Sequence, residues 1–472
     1  MHSTDSSRVV LCFVDNDAGR DVEMLLPLVY FIESLPGVKV IFNFIWDVHA
    51  IYRKKPDIVL LPNTVGSKLY FQISQYANEC GIPVFALISE GNMRTDGSFH
   101  YWGYNTDKTF YQQFVCFWSR RTLDFMKKEL PEQANKLVLT GATGFDRYSI
   151  YEFVKKEAYL KRLNLTKFKK VIGYAGWAFG KLTNAQGRDE MLAFFKGDES
   201  RLQWAEKQML AVEEILRKVI TDNPDILFVL KRHPNEANPS IVEEGRNEMN
   251  PLKNLPNVRY VKDEDDLHDL ISVSDLWLGF ETTTTLEAWL MKENMPTILV
   301  NPDPDFNRDA LYQGSVMVQS AGELQQLMDE FYASGLVLSF LASDLIVKRK
   351  TLIRDTIGFS DGLNHVRAGC YFKQVLDLTG GSTGSKVKFS PRYFCMYCLM
   401  EMGKYFYVKE IFMKLPKFKK TVWIFEKFRL KNIPLLQAKY KPYMEKFYRQ
   451  NNIMEKINQG KMCADLQIEN NA

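Results

Sequence analysis

Short uninterrupted apolar runs, rich in Val, Ile, Leu and Phe, alternate along this chain with longer stretches whose apolar positions recur every three to four residues. In the first third, residues 9–14, 38–45, 57–61, 83–88, 113–118 and 136–140 read as strands, with helical periodicity over 21–34 and 67–80. A strand that is apolar throughout is buried on both faces, so such runs separated by helices predict a parallel sheet covered on both sides. From Arg147 to Lys170 the chain is helical and charged, and then the same grammar restarts. Strands are predicted at 171–175, 226–230, 258–261, 276–280 and 297–300, and helices at 200–221, 265–272 and 283–292. The pattern predicts an α/β chain of two doubly wound, Rossmann-like halves facing a cleft, with ligands beyond the carboxyl ends of the strands.

Apolar periodicity from Ala321 to Val375 predicts closing helices for the second half. The domains expected are therefore a first half at 1–160, a second half with its closing helices at 161–376, a linker at 377–386 and a tail at 387–472. The linker is read from Thr379-Gly380-Gly381-Ser382-Thr383-Gly384-Ser385; its Gly-Ser-Lys order is not that of a phosphate loop. A length of 472 residues, 46% hydrophobic and 25% charged, suits an ordinary globular protein of about three domains at ~150 residues each.

Charge changes the picture of the tail. Net charge is +4, yet residues 386–461 carry 18 Lys/Arg against 5 Asp/Glu, net +13, which leaves the rest at −9. Aromatics interleave with these cations, as in Arg392-Tyr393-Phe394, Lys404-Tyr405-Phe406-Tyr407, Lys417-Phe418-Lys419-Lys420 and Trp423 to Arg429. Aromatic rings favour the membrane interface and lysines favour anionic headgroups, so a helical, membrane-associating tail is expected. No nucleic-acid motif accompanies the charge, and nucleic acid is not expected as a partner. The polar start, Met1 to Arg8, predicts no signal peptide, and no apolar run of about 18 residues predicts a spanning helix. Seven cysteines, an odd number mostly in apolar contexts, suggest a reducing compartment, and the single pair Cys395 and Cys398 lacks the further ligands of a zinc site.

Two strand ends carry the chemistry. The run 276–280 leads through Glu281 into Thr282-Thr283-Thr284-Thr285, which opens a helix bearing Glu287. Unpaired amides at a helix N-terminus carry partial positive charge and attract phosphate; the threonines also suit simple capping. The run 226–230 stops at Lys231-Arg232-His233-Pro234, two cations and an imidazole before a proline that restricts the backbone. Together they suggest a nucleotide, its phosphate neutralised by His233, Lys231 and Arg232. In the first half, Ser89-Glu90-Gly91 delivers a carboxylate to the sheet edge, where Glu90 suits a general base toward an acceptor hydroxyl. Asp17 and Asp146, at two other strand exits, are the next candidates on that side.

The His-Pro element, the hydroxyl-rich turn with its glutamate and the Ser-Glu-Gly turn together resemble the GT-B glycosyltransferases of bacterial surface-carbohydrate biosynthesis. Within them, the likeness is to capsule Kdo transferases and bacterial sialyltransferases that use CMP-activated sugars. Leu61-Pro62-Asn63, Leu139-Thr140-Gly141 and Phe145-Asp146 also fit the general pattern, and the resemblance covers Arg8 to about Leu376. It implies that the first half takes the acceptor and the second the nucleotide sugar. His233 and Pro234 would contact the CMP moiety, with Lys231, Arg232, Thr282 and Glu287 beside them, and Thr283 and Thr284 would bind its phosphate. Glu90 with Gly91 would hold the place of the family's acidic-acidic-Gly base turn, with Ser89 replacing the first acid. The implied partners are a nucleotide sugar, a glycan or glycolipid acceptor and an anionic membrane on the inner, cytoplasmic face, with no cofactor or metal. CDP-glycerol polymerising transferases share the His-Pro and hydroxyl motifs, so polyol-phosphate transfer is the alternative, and a non-catalytic GT-B scaffold is a third reading.

Overall fold

The computed structural model describes residues 8–63, 68–92, 109–237, 245–262, 265–306, 310–379, 387–407 and 429–471. Most of the expected linker and the basic-aromatic stretch 408–428 lie outside the described residues. The chain divides into two units, Met1–Tyr151 with Ile353–Ala472, and Glu152–Leu352.

The first unit holds six parallel strands: β1 (Arg8–Val14), β2 (Val38–Phe44), β3 (Ile58–Leu61), β4 (Val84–Ala86), β5 (Phe114–Phe117) and β6 (Leu137–Leu139). Their order is β2-β1-β3-β4-β5-β6. Along β1, Val10, Cys12 and Val14 enter one apolar cluster while Leu11 and Phe13 enter another on the opposite face. That is why its sequence shows no polar alternation. The second unit repeats the plan with β7 (Lys170–Ala175), β8 (Ile226–Lys231), β9 (Val258–Val261), β10 (Leu276–Gly279), β11 (Thr297–Val300) and β12 (Val316–Val318). Here the order is β12-β11-β10-β7-β8-β9. The expected α/β class and two doubly wound parallel sheets are present; β12, a three-residue edge strand, is an addition.

The division of the chain differs from the one expected. The helix Asn364–Leu378, assigned from sequence to the second half, buries Val366, Ala368, Cys370, Phe372 and Val375 in the same cluster as Val10 and Val14 of the first. Likewise, the helices after residue 431 are not a separable tail. Ile433, Tyr440, Met444 and Tyr448 of the helix Asn432–Asn451, then Ile453, Ile457, Met462 and Leu466, are all buried in that cluster. Polar bonds fix the same contact: His365 Nε2 lies 3.0 Å from Tyr448 Oη, while His365 Nδ1 lies 2.8 Å from a carboxylate oxygen of Asp146. A disulfide joins Cys370 to Cys463, so the odd cysteine count, read as pointing to a reducing compartment, does not exclude a bridge. Among the described residues no helix is long and apolar enough to cross a membrane.

Candidate functional site

Strand register brings three strand ends of the second unit level with one another. Gly279 of β10 pairs with Ala175 of β7, and Ala175 pairs with Lys231 of β8. Because the chain runs β7-β8-β9 to one side and then returns to place β10 on the other, the strand order reverses between β7 and β10. In open α/β sheets ligands bind outside the carboxyl ends at this reversal.

On the β10 side the threonines divide their work. Thr282 and Thr284 hydroxyls lie 2.7 Å apart, the Thr284 amide donates to Thr282 Oγ1 at 3.2 Å, and the Trp277 indole donates to Thr284 Oγ1 at 2.8 Å. Thr285 donates to the Thr282 carbonyl at 3.2 Å. Three hydroxyls therefore shape the turn, and exposed Thr283, the cap residue of the helix Thr284–Met291, makes no side-chain cap bond. Thr283 and Thr284, expected to act alike, have different settings: Thr283 is exposed, whereas Thr284 Oγ1 accepts from the Trp277 indole. Glu287, one turn along, lies 3.4 Å from His268 Nδ1.

On the β8 side Lys231 donates to the Lys262 carbonyl. Burial, followed by the charges of Lys181 and Lys231, pushes His233 down to about 4, so its imidazole is neutral at pH 7. Arg232 is buried, its amide bonded to the Val261 carbonyl at 2.9 Å, and the cations acting on His233 are Lys231 and Lys181. Pro234 is exposed at the start of a short turn, Pro234–Ala237. Within that turn buried Glu236 accepts the Gly180 amide at 2.7 Å and the Asn247 side-chain amide at 2.7 Å.

Between these two lies the β7 exit, which the sequence reading passed over. Gly176 donates its amide to the Lys231 carbonyl at 2.9 Å, and a Cβ there would come within 2.5 Å of Met249 Cε and 3.2 Å of the Lys231 carbonyl oxygen, so the turn is closely packed. Lys181 follows, paired with Glu190 at 2.8 Å. Beneath, Tyr174 Oη donates to Glu248 Oε1 at 2.9 Å. Burial and then the charge of Glu236 push the Glu248 carboxyl up to about 8. The available signal was a Gly-x-x-x-Gly-Lys sequence directly after a strand, at the first βα turn of the unit.

This buried acid gives the second unit a pH signature. The folded state keeps the Glu248 proton up to about 8 while an unfolded glutamate loses it near its ordinary value of 4.5, so the unfolded state binds fewer protons in between. Stability of this unit is expected to fall as pH rises from about 4.5 to 8. Glu248→Gln, always neutral, is expected to remove about one proton's worth of that slope in urea melts. An unchanged slope would contradict the assignment.

The first unit has its own carboxyl edge, around β1. Glu90 forms an ion pair with Arg20, and Ser89 is fully buried beside Asp21. Gly91 is required by close packing: a Cβ would stand 2.2 Å from the Trp118 ring, whose Nε1 donates to the Ile88 carbonyl at 2.6 Å. Asp21, in the first turn of the helix Arg20–Glu33, is the carboxylate the sequence reading missed. Burial and the neighbouring Asp15 push it up to about 6, against the opposing effects of Arg20 and Ser89. The two weaker candidates are structural. Asp17 accepts the Asn432 amide at 3.3 Å at the start of the helix Asn432–Asn451. Fully buried Asp146 accepts the Asn364 and His365 amides at 3.1 and 2.7 Å as well as bonding the His365 ring. Each satisfies orphan amides at a helix start, which is why an acid stands at those strand exits.

No protein-family model matches the chain, and no curated protein matches it in sequence. Solved structures do match in fold. A structure of S. aureus MnaA with UDP aligns over 81% of this chain and 100% of its own, at 13% identity and a TM-score of 0.50. A Listeria monocytogenes protein assigned as a UDP-N-acetylglucosamine 2-epimerase aligns over 79% and 98%, at 13% identity and a TM-score of 0.51. The wall teichoic acid polymerase TagF with CDPG aligns at 11% identity over 79% of this chain and 90% of its own, with a TM-score of 0.47. The first two show the two-domain, GT-B-like α/β fold; the third adds nothing to that.

Proposed function

We propose that the protein is a nucleotide-sugar-dependent glycosyltransferase whose donor phosphate sits at the carboxyl edge of β10, β7 and β8. One observation carries this reading: the strand-order reversal gathers, at a single sheet edge, a helix N-terminus with the Thr283 hydroxyl, His233, and the cations Lys231 and Lys181. A leaving nucleotide phosphate gains negative charge as the bond to the sugar breaks, and cations and N–H donors beside it favour that transition state. A UDP-bound structure among the proteins of similar fold supports a nucleotide ligand. The motif resemblance favours CMP and a Kdo- or sialic-acid-like sugar, passed to a glycan or glycolipid acceptor at the inner membrane face. Thermal stabilisation measured with CMP, CDP-glycerol, UDP-N-acetylglucosamine and their parent nucleotides side by side tests it. Stabilisation by none of them would reject the site, and preference for CDP-glycerol would reject the sugar donor.

On the acceptor side, Asp21 suits the general base better than Glu90. Burial raises the Asp21 carboxyl to about 6, near the operating pH, and Arg20 pairs with both acids, more closely with Glu90 than with Asp21 at 3.9 Å. Asp21→Asn is expected to lower kcat by about 10²- to 10⁴-fold with donor affinity unchanged, and Glu90→Gln by less. The reverse ranking in steady-state kinetics would restore Glu90 as the base.

A further inference from the structure

We propose that the first unit docks on an anionic bilayer through the helix Pro391–Tyr407 and a cationic cavity beside edge strand β2. This deepens the reading of a membrane-borne acceptor, and it stands on residues of the first unit that take no part in the proposed nucleotide edge.

The helix has two unlike apolar faces. Tyr393, Tyr397, Met400 and Lys404, spaced at i, i+4, i+7 and i+11, form the stripe turned to the body: Tyr393 and Met400 are buried, and the Arg53 guanidinium lies 4.3 Å from the Tyr397 ring centroid. Cys395, Leu399 and Met402, at i, i+4 and i+7, form the opposite stripe, with Tyr405 beside it. Leu399 is 68% exposed, Met402 54% and Tyr405 61%. Large apolar side chains gathered on one helical stripe mark an interaction face, whereas scattered ones need no explanation.

Charge identifies what covers it. A cavity of about 580 Å³ against β2 is lined by Lys39, Lys54, Lys404 and Arg429, and Asp47 is the one carboxylate among its lining residues. Asp47 is already paired with Arg53 at 2.5 Å and Lys404 with Glu401 at 2.7 Å, so Lys39, Lys54 and Arg429 carry the cavity's excess positive charge. Exposed Lys388 and Arg392 stand at the start of the same helix, and Arg53, Lys54 and Lys55 are exposed in succession. A second copy of this chain would bring these cations against themselves. An anionic lipid surface satisfies both halves of the feature, its phosphates meeting the cations and its acyl boundary the apolar stripe.

The full-length protein is tested by co-sedimentation with phosphatidylcholine vesicles, with and without phosphatidylglycerol. Binding is expected only with phosphatidylglycerol. Replacing both Lys54 and Arg429 by Gln is expected to weaken it on the order of 20-fold, each cation contributing about fivefold near such a surface. The pair Leu399→Ser and Met402→Ser is expected to abolish what binding survives in high salt. Both variants alter exposed positions and are expected to keep the nucleotide-induced thermal shift, which separates failure here from failure of the donor site. A polarity-sensitive fluorophore on Cys395, in a Cys398→Ser background, is expected to shift to the blue with anionic vesicles, independently of those substitutions. Equal binding to neutral vesicles, wild-type binding by either double variant, no fluorophore shift, or binding to duplex DNA in place of vesicles would overturn the proposal.

Discussion

Cutting the chain after Gly381 is expected to unfold the first unit, with the second unit's transition kept. The eight apolar side chains lost from Ile433 to Leu466 are all buried in the cluster that covers one face of β1. At about 1.5–3 kcal/mol for each fully buried apolar side chain, their loss matches or exceeds the ~5–15 kcal/mol that holds a domain together. The cut also removes Tyr448 from His365 and Cys463 from Cys370. Calorimetry of the truncated chain is expected to show one cooperative transition where the full chain shows two. A milder arm, Tyr448→Phe, removes only the hydroxyl that meets His365 and is expected to cost about 1–3 kcal/mol in urea melts, because a buried imidazole nitrogen loses its partner. A truncated protein with both transitions intact would return the tail to the separable module that its charge suggested.

His233→Ala is expected to lower turnover by about 10²- to 10³-fold with the fold intact, the usual loss when one preorganised donor to a leaving group is removed. The residue follows a strand end and fills no part of the apolar clusters, so melting should hardly change. The pH dependence adds a sharper check. In the free protein the imidazole titrates near 4, and a bound phosphate raises that value by favouring the imidazolium. Binding then takes up a proton, and nucleotide affinity should rise as pH falls from neutrality toward 5, by more in the wild type than in His233→Gln. Measuring the difference between the two proteins cancels the titration of the phosphate itself. Identical pH profiles, or near-normal turnover in His233→Ala, would remove His233 from the site.

Much of the fold was legible because both sheets are covered on both faces, which turns most strands into unbroken apolar runs. β12 escaped because Val316–Val318 is three residues long at a sheet edge. Unit membership escaped for a different reason: the apolar stripe on Asn364–Leu378 says that the helix is buried, not against which sheet. In the tail, Ile433, Tyr440, Met444 and Tyr448 follow helical spacing, but the density of lysines drew attention to the opposite face. At the candidate site, strand ends and hydroxyls were readable in place, since each is local. Lys181 had a local signal in its Gly-x-x-x-Gly-Lys turn, whereas Glu248 and Asp21 did not, because their significance comes from burial and from the neighbouring carboxylates Glu236 and Asp15. Asp17 and Asp146 show the converse: carboxylates at strand exits look catalytic until their amide partners, 415 and 218 positions away, are known.

The first unit is written in two stretches of chain with the whole of the second unit between them. During synthesis, β1 to β6 therefore emerge with one face of their sheet still lacking the helices that cover it, while Glu152–Leu352 is complete as soon as it has left the ribosome. Domains generally fold as units during translation, so the order of completion here reverses the order of appearance. The helix Asn364–Leu378 and the helices after residue 431 arrive last and close a sheet made first. In the interval the apolar side chains of β1 and of Arg20–Glu33 are the surface a chaperone would hold, and substitutions late in the sequence, at Tyr448 or Ile457, should appear in the cell as misfolding of the earliest part of the protein.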